Sequence, residues 1–492
     1  MGRGLTRPMF ARHRSLVDAS GRIPSWRLGI FASIAFPSVG MTLPLAIFLP
    51  PFYTKTLGLG LAEVGLVFML VRLFDIVTDP VMGIIGDRFD SRWGRRRHWL
   101  VIALPFMMIG VYMAFMPTGS PSIWYLGFWL VVLYAGTTMK TISHTAWAAE
   151  LSPDYDQRSR IAGFNSFAAY MGSLLILGPL AFLEFRGTPP AGHEALTFFG
   201  TMALVFAPIC VFAAVTLVGE RPTAPAPRIG LIRGLRMVLR NPHMRRLLLA
   251  DAMAAIPGSV MSGLFIFYQA ELLGNSQFNS LALIGFFVAH IIGVPLWVRL
   301  SFRVGKHRAF GISSLCFCFT TSLFFFPGEG DVALFVAFLF FTGLTHSGLQ
   351  FLLRSMGADV VDYDNVQTGG QRTGLYFALL SITAKAGGAL AIGITYPLLA
   401  VVGFDAQGGN SEDAKFAFRM IYLVVPVMAM ILAYVFIRGF KLDEAEQRAL
   451  QSRIAMRDGS ADGEAGAAGS ADVDGDGQRA IEGGSDDATR RG

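Results

Sequence analysis

The sequence predicts an all-α membrane protein of about twelve transmembrane helices in two pseudo-symmetric six-helix halves. Three observations carry this expectation. Only 15% of the 492 residues are charged, against about 25% in soluble domains, and the mean hydropathy is +0.51. The apolar residues fall in long runs, such as residues 124–136 and 331–344, that approach the ~20 residues needed to cross a bilayer core as a helix. In lipid, backbone polar groups must be satisfied internally, so such runs must be helical. Finally, the connections between runs alternate between two chemical classes.

The spans read as 27–53, 62–86, 98–116, 122–148, 162–185 and 196–218, then 246–273, 280–300, 308–326, 331–356, 374–400 and 415–439. One class of connection is basic: Arg88 to Arg97, Arg158 with Arg160, the stretch 221–246, and Arg303 to Arg308. The other is short and nearly free of Lys and Arg, around 117–121, 274–277 and 327–331. The positive-inside rule puts the basic loops and both termini in the cytoplasm of a multi-pass cell (inner) membrane protein.

Five segments follow. Residues 1–26 form a basic cytoplasmic N-terminal segment without the apolar region of a cleavable signal peptide. Residues 27–218 form the N-terminal half and 246–439 the C-terminal half. The linker 219–245 starts Pro-rich and becomes basic and amphipathic, as expected of a segment on the inner leaflet. The tail 440–492 turns into Gly, Ala, Asp and Ser and is expected to be largely disordered.

The halves echo each other. AELSPDYDQRSR follows the fourth span and ADVVDYDNVQTGGQR follows the tenth, each with an acid, Asp-Tyr-Asp and an Arg. DRFDSRWGRRRHW follows the second span and SFRVGKHRAF the eighth. Parallel halves with matching loops are what the major facilitator architecture predicts. The charged members of these loops, Asp87, Arg95, Arg96, Glu150, Asp154, Arg158, Asp359, Asp362 and Arg372, read as a cytoplasmic gate.

A charge at mid-bilayer costs at least ~2.5–3.5 kcal/mol on insertion scales, so each one needs a reason. The second span holds Arg72, Asp75 and Asp79 on one stripe, followed by Pro80. Two carboxylates one turn apart supply oxygens to a small hard cation or share a proton. The bland reading is an Arg72–Asp75 pair with Asp79 capping a break at Pro80. The fourth span holds Lys140 and His144, with Thr137, Thr138 and Thr141 near enough to bond a hydroxyl-rich ligand. Lys385 lies in the eleventh span beside Gly387 and Gly388, which let another helix approach closely. It reads as a partner of Asp75 or Asp79. His290 and His346 stand alone in apolar spans and read as helix-packing hydrogen bonds. Asp251 and Glu271, near span ends, read as facing water. Arg72, Lys140 and Lys385 against Asp75 and Asp79 leave one excess positive charge in the core.

Cys210, Cys316 and Cys318 all lie in apolar segments, which argues against a disulfide framework or a zinc site. There is no Walker sequence, catalytic triad or metal cluster, so the chain reads as a non-enzyme without cofactor, metal or nucleic-acid partner. Its expected partners are a small-molecule solute, a coupling ion (Na⁺ or H⁺) and membrane lipid, and it is expected to be a monomer.

The segments FDIVTDPVMGIIGDRFDSRWGRRRHW, AWAAELSPDYDQRSR, ADVVDYD and GGQRTGLYFALLSITAKAGGAL resemble the glycoside–pentoside–hexuronide:cation symporters. These form the melibiose-permease-like branch of the major facilitator superfamily. The resemblance covers about residues 27–440 and implies cation-coupled symport of a sugar, uronide or other polar solute by alternating access. It implies that Asp75 and Asp79 form the cation site, with Arg72 and Lys385 beside it. The branch's sugar-site charges do not carry over: they fall near Val39, at Thr141 and at Asn165. Thr373 stands where many relatives have a glutamate. Galactoside transport is therefore not implied, and an anionic solute held by Lys140 is the expectation that the excess charge favours. The alternative function is a carrier or flippase of a lysolipid-like amphiphile.

Overall fold

The computed structural model describes residues 22–89, 91, 93–152, 155–190, 192–220, 238–274, 277–368 and 373–438. The N-terminal segment up to residue 21, most of the linker and the tail therefore lie outside the described residues. Twelve long helices run through the described residues: α1 (Ser25–Ile47), α2 (Leu61–Arg88), α3 (Arg97–Phe115), α4 (Ile123–Leu151), α5 (Tyr155–Phe185) and α6 (Gly192–Leu217), then α7 (Pro242–Phe267), α8 (Asn279–Val304), α9 (Lys306–Ser322), α10 (Val332–Thr368), α11 (Thr373–Val401) and α12 (Glu412–Ile437). Ten of them are long and apolar enough to cross a membrane. The two that fall short, α2 and α4, are those carrying Arg72, Asp75, Asp79 and Lys140, so the shortfall marks where the polar chemistry sits.

Several elements repeat between the halves. A π turn follows each of α1 and α7, at Phe52–Thr56 after the short helical stretch Leu49–Pro51 and at Tyr268–Leu272 directly. Each turn contains a fully buried tyrosine: Tyr53 donates to the Ala114 carbonyl and Tyr268 to the Phe324 carbonyl. At the opposite, basic end, Arg96 pairs with Glu150 at 2.7 Å and Lys306 with Asp359 at 2.7 Å. The acids of these two pairs occupy matching places in the AELSPDYD and ADVVDYD echo.

Proline shapes α1. The helix breaks into Ser25–Ala32 and Ala35–Ile47 because Pro37 has no N–H to give to the Ser33 carbonyl. The Phe36 amide takes that carbonyl instead, at 3.1 Å. The proline in α2 behaves otherwise. No break occurs at Pro80, and the helix runs on to Arg88, so Asp79 caps nothing. Neighbouring helices compensate for a lost hydrogen bond within a bundle. The tenth helix also outruns its hydropathy limit: α10 continues to Thr368, so the ADVVDYD segment is helical rather than a loop.

The halves meet where α2 packs on α11, α5 on α8 and α1 on α7. Small residues set the α2–α11 register. Gly65 leaves room for Tyr396 and Gly393 for Met69, in antiparallel order. Carried along both helices, this register brings Lys385 to Asp75 and Asp79. Gly387 lies against the Ala252 carbonyl and Ala255 of α7, so α11 is wedged between α2 and α7. At the charge-poor end Lys55 pairs with Glu271 at 3.6 Å, and Asn410 donates to Glu271 at 2.9 Å. The Glu184 carboxylate of α5 accepts the Ser280 and Leu281 amides of α8, at 2.9–3.0 Å. This end is thereby closed by contacts between the halves.

Candidate functional site

Asp75 and Asp79 project from consecutive turns of α2 towards α11, and Asp75 is only 3% exposed. The Lys385 ammonium lies between them, 2.8 Å from Asp75 Oδ2 and 2.6 Å from Asp79 Oδ2. Thr138 of α4 donates to Asp75 Oδ1. Asp79 Oδ1 is buried with no hydrogen-bond partner. The cluster therefore holds two acids, one cation and one free carboxylate oxygen. It carries a net charge of minus one when all three groups are ionised.

Arg72 does not pair with Asp75. Its guanidinium stacks over the Tyr134 ring, 4.9 Å from the centroid, a cation–π contact that leaves both acids to Lys385. Arg72, Tyr134 and Lys385 line a cavity of about 260 Å³ together with Ser259, Ser262 and Ser381. The cavity sits between α2 and α4 of one half and α7 and α11 of the other. Lys385 thus touches the acid pair on one side and the cavity on the other.

Lys140 and His144 face α1. Lys140, 9% exposed, donates from its ammonium to Ser38 Oγ at 2.7 Å and makes no ion pair among the described residues. No contact between Lys140 and Asp75 or Asp79 occurs among the described residues. His144 stacks on Phe31 with ring centroids 4.4 Å apart, and its Nε2 lies 3.2 Å from the Phe31 carbonyl. The threonines behave less uniformly than their spacing suggested. The Thr138 hydroxyl is taken by Asp75 and the Thr137 hydroxyl by the Tyr134 carbonyl, because a helical threonine bonds whichever acceptor lies within reach. Thr141 is exposed. Asn165 of α5 is half-buried, with its Oδ1 unpartnered.

Two acids read as water-facing are corrected. Asp251 is 1% exposed and accepts a 2.8 Å hydrogen bond from Thr383, with Arg354 of α10 acting on it electrostatically. The side chain of Glu271 is 9% exposed and paired as described above. Arg354 offsets the charge that Asp251 adds to the core. The histidines are corrected too. His290 and His346 meet each other, ring centroids 5.7 Å apart, and the Nδ1 atom of each is buried without a partner. A buried polar atom left unpartnered typically costs about 1–3 kcal/mol.

The contacts described for the charged loops at the basic end lie within each half. Arg96 also donates to the Gly86 carbonyl, which ties the α2–α3 connection to α4. Glu220, which the sequence reading missed, accepts the backbone amides of Arg95, Arg96 and Arg97 at 2.6–2.9 Å and so caps α3. Lys306–Asp359 ties α9 to α10. Asp154 and Arg372 lie outside the described residues, as do the side chains of Asp87, Arg158, Asp362 and Thr373.

Residues 30–444 match a family model described as MFS/sugar transport protein. A putative glycoside/cation symporter, YagG of Escherichia coli (strain K12), is 26% identical over 427 residues, covering 84% of this chain and 91% of its own. A glucuronide carrier protein homolog from the same organism is 24% identical, covering 88% and 96%. Among solved structures, the nucleoside transporter NupG superposes with a TM-score of 0.63 at 12% identity, covering 85% of this chain and 99% of its own. That likeness shows the fold.

Proposed function

The chain belongs to the MFS/sugar transport protein family, and from that premise we propose that it couples the entry of a glycoside or uronide to that of a monovalent cation. The observation that carries the proposal is the Asp75–Lys385–Asp79 cluster with its unpartnered Asp79 Oδ1. With one net negative charge, the cluster is neutralised by a single Na⁺ or H⁺. A hard cation takes carboxylate oxygens, and a proton settles on one of two acids whose charges repel.

Coupling follows from the double contact of Lys385. When a cation takes the acids, the ammonium loses its partners and turns towards the cavity, where a solute oxygen receives it. Cation and solute then favour the same arrangement of the two halves, and by linkage each strengthens the binding of the other. Alternating access requires the halves to part and close around that midplane site. With the basic end assigned to the cytoplasm, the Lys55–Glu271 and Glu184 contacts close the external side in this conformer.

The solute's acid group is assigned to Lys140, whose ammonium has only a serine hydroxyl as partner among the described residues. A charge-assisted hydrogen bond contributes about 1.5–3 kcal/mol. Lys140→Gln is therefore expected to weaken binding of p-nitrophenyl β-D-glucuronide about thirtyfold and to spare the neutral p-nitrophenyl β-D-glucoside. Calorimetric titration of both probes checks this. Equal weakening of both, or an altered cation response with neither affected, rejects the assignment.

A further inference from the structure

We propose that His290 of α8 and His346 of α10 are the C-terminal half's contact with the transported solute, hydrogen-bonding the hydroxyls of a glycoside ring. This rests on reading the central cavity as the solute's path.

The pair lies at the seam between the halves. Tyr170 of α5 packs on His290 with ring centroids 5.9 Å apart, so the N-terminal half reaches the pair directly. His346 stands against Gly258 of α7, whose neighbour Ser259 lines the cavity; a Cβ at Gly258 would lie 3.4 Å from His346 Nε2. Phe286 flanks both imidazoles and Phe317 flanks His346, which holds the rings among aromatic side chains.

Packing alone explains the rings and leaves the Nδ1 atoms without a reason. Among the described residues neither Nδ1 meets a donor or acceptor. A phenylalanine at either position would keep the aromatic contacts without burying an unsatisfied atom. A neutral imidazole offers one donor and one acceptor, and a sugar hydroxyl needs both from its surroundings. Two such rings side by side suit the neighbouring hydroxyls of a pyranose, with Tyr170 as an apolar face against which the ring can lie. The assignment also meets a need of alternating access: a solute closes the halves on itself only if both contribute to binding it. Lys140 belongs to the N-terminal half and the histidine pair to the other.

The test uses the full-length protein in nanodiscs with p-nitrophenyl β-D-glucuronide and p-nitrophenyl β-D-glucoside. His290→Phe and His346→Phe keep the ring volume and remove the nitrogens. Each is expected to melt no lower than the parent protein without probe, and to bind both probes about tenfold more weakly. His290→Gln and His346→Gln restore a donor and an acceptor and should recover part of that loss. Unchanged affinity in both phenylalanine variants overturns the proposal while leaving the transport reading intact. A lower melting temperature in the empty variants assigns the histidines to packing and overturns it as well. Failure of the parent protein to bind either glycoside overturns the transport reading and this inference together.

Discussion

Asp75→Asn and Asp79→Asn each reduce solute accumulation in proteoliposomes to the equilibrium ratio of about one, under an inward Na⁺ or H⁺ gradient, while exchange of solute across the membrane continues. The amide keeps the carboxylate's volume, and α2 is continuous through both positions, so the fold has no reason to change. What changes is charge. With one acid gone, Lys385 neutralises the other, and the cluster no longer needs a cation to reach zero. The gradient then has nothing to act on. Asp79→Asn is expected to be the more complete of the two, because Asp79 carries the unpartnered oxygen while Thr138 holds Asp75. Normal concentrative uptake by both variants would remove the acids from the coupling mechanism.

Lys385→Ala is expected to damage the protein itself. It leaves two carboxylates one turn apart at a buried interface, and removing one partner of a buried ion pair typically costs about 3–5 kcal/mol. Part of that loss is recovered by protonation, so the variant should be most defective at alkaline pH. The partner substitution separates charge from packing. Lys385→Ala with Asp75→Asn retains one acid instead of two and should be expressed better and melt higher than the single lysine variant. If the double variant is no better than the single one, the lysine's contribution lies in its packing at the cavity wall and not in its charge.

The spans were legible in the sequence because lipid demands uninterrupted apolar length, and the α2 acids because a charge in such a run stands out. The approach of Lys385 to those acids followed from charge and from the resemblance, and the Gly65–Tyr396 and Gly393–Met69 contacts give its physical cause. Other acids were not legible. Glu220 bonds backbone amides about 125 positions away, and Asp251 meets Thr383 at a separation of 132, distances that no helical spacing rule reaches. Glu184 likewise meets amides of another helix, a partner that has no side-chain signature. Pro80 left a break open as the bland alternative to the continuous span 62–86; α2 continues through it, packed on α4 and α11. The helical end of α10 was hidden because hydropathy stops at the membrane surface, whereas a helix in water need not. The meeting of His290 with His346 is tertiary, and only packing of α8 on α10 reveals it.

The central claim, cation-coupled symport of a glycoside or uronide, is tested most directly by one uptake measurement. The unaltered protein in proteoliposomes is given p-nitrophenyl β-D-glucuronide with an inward Na⁺ gradient, an inward H⁺ gradient, or neither. The account predicts accumulation well above the external concentration with one of the two gradients and simple equilibration without them. Equal uptake under all three conditions, or movement of lysophosphatidylcholine with none of the glucuronide, would contradict it.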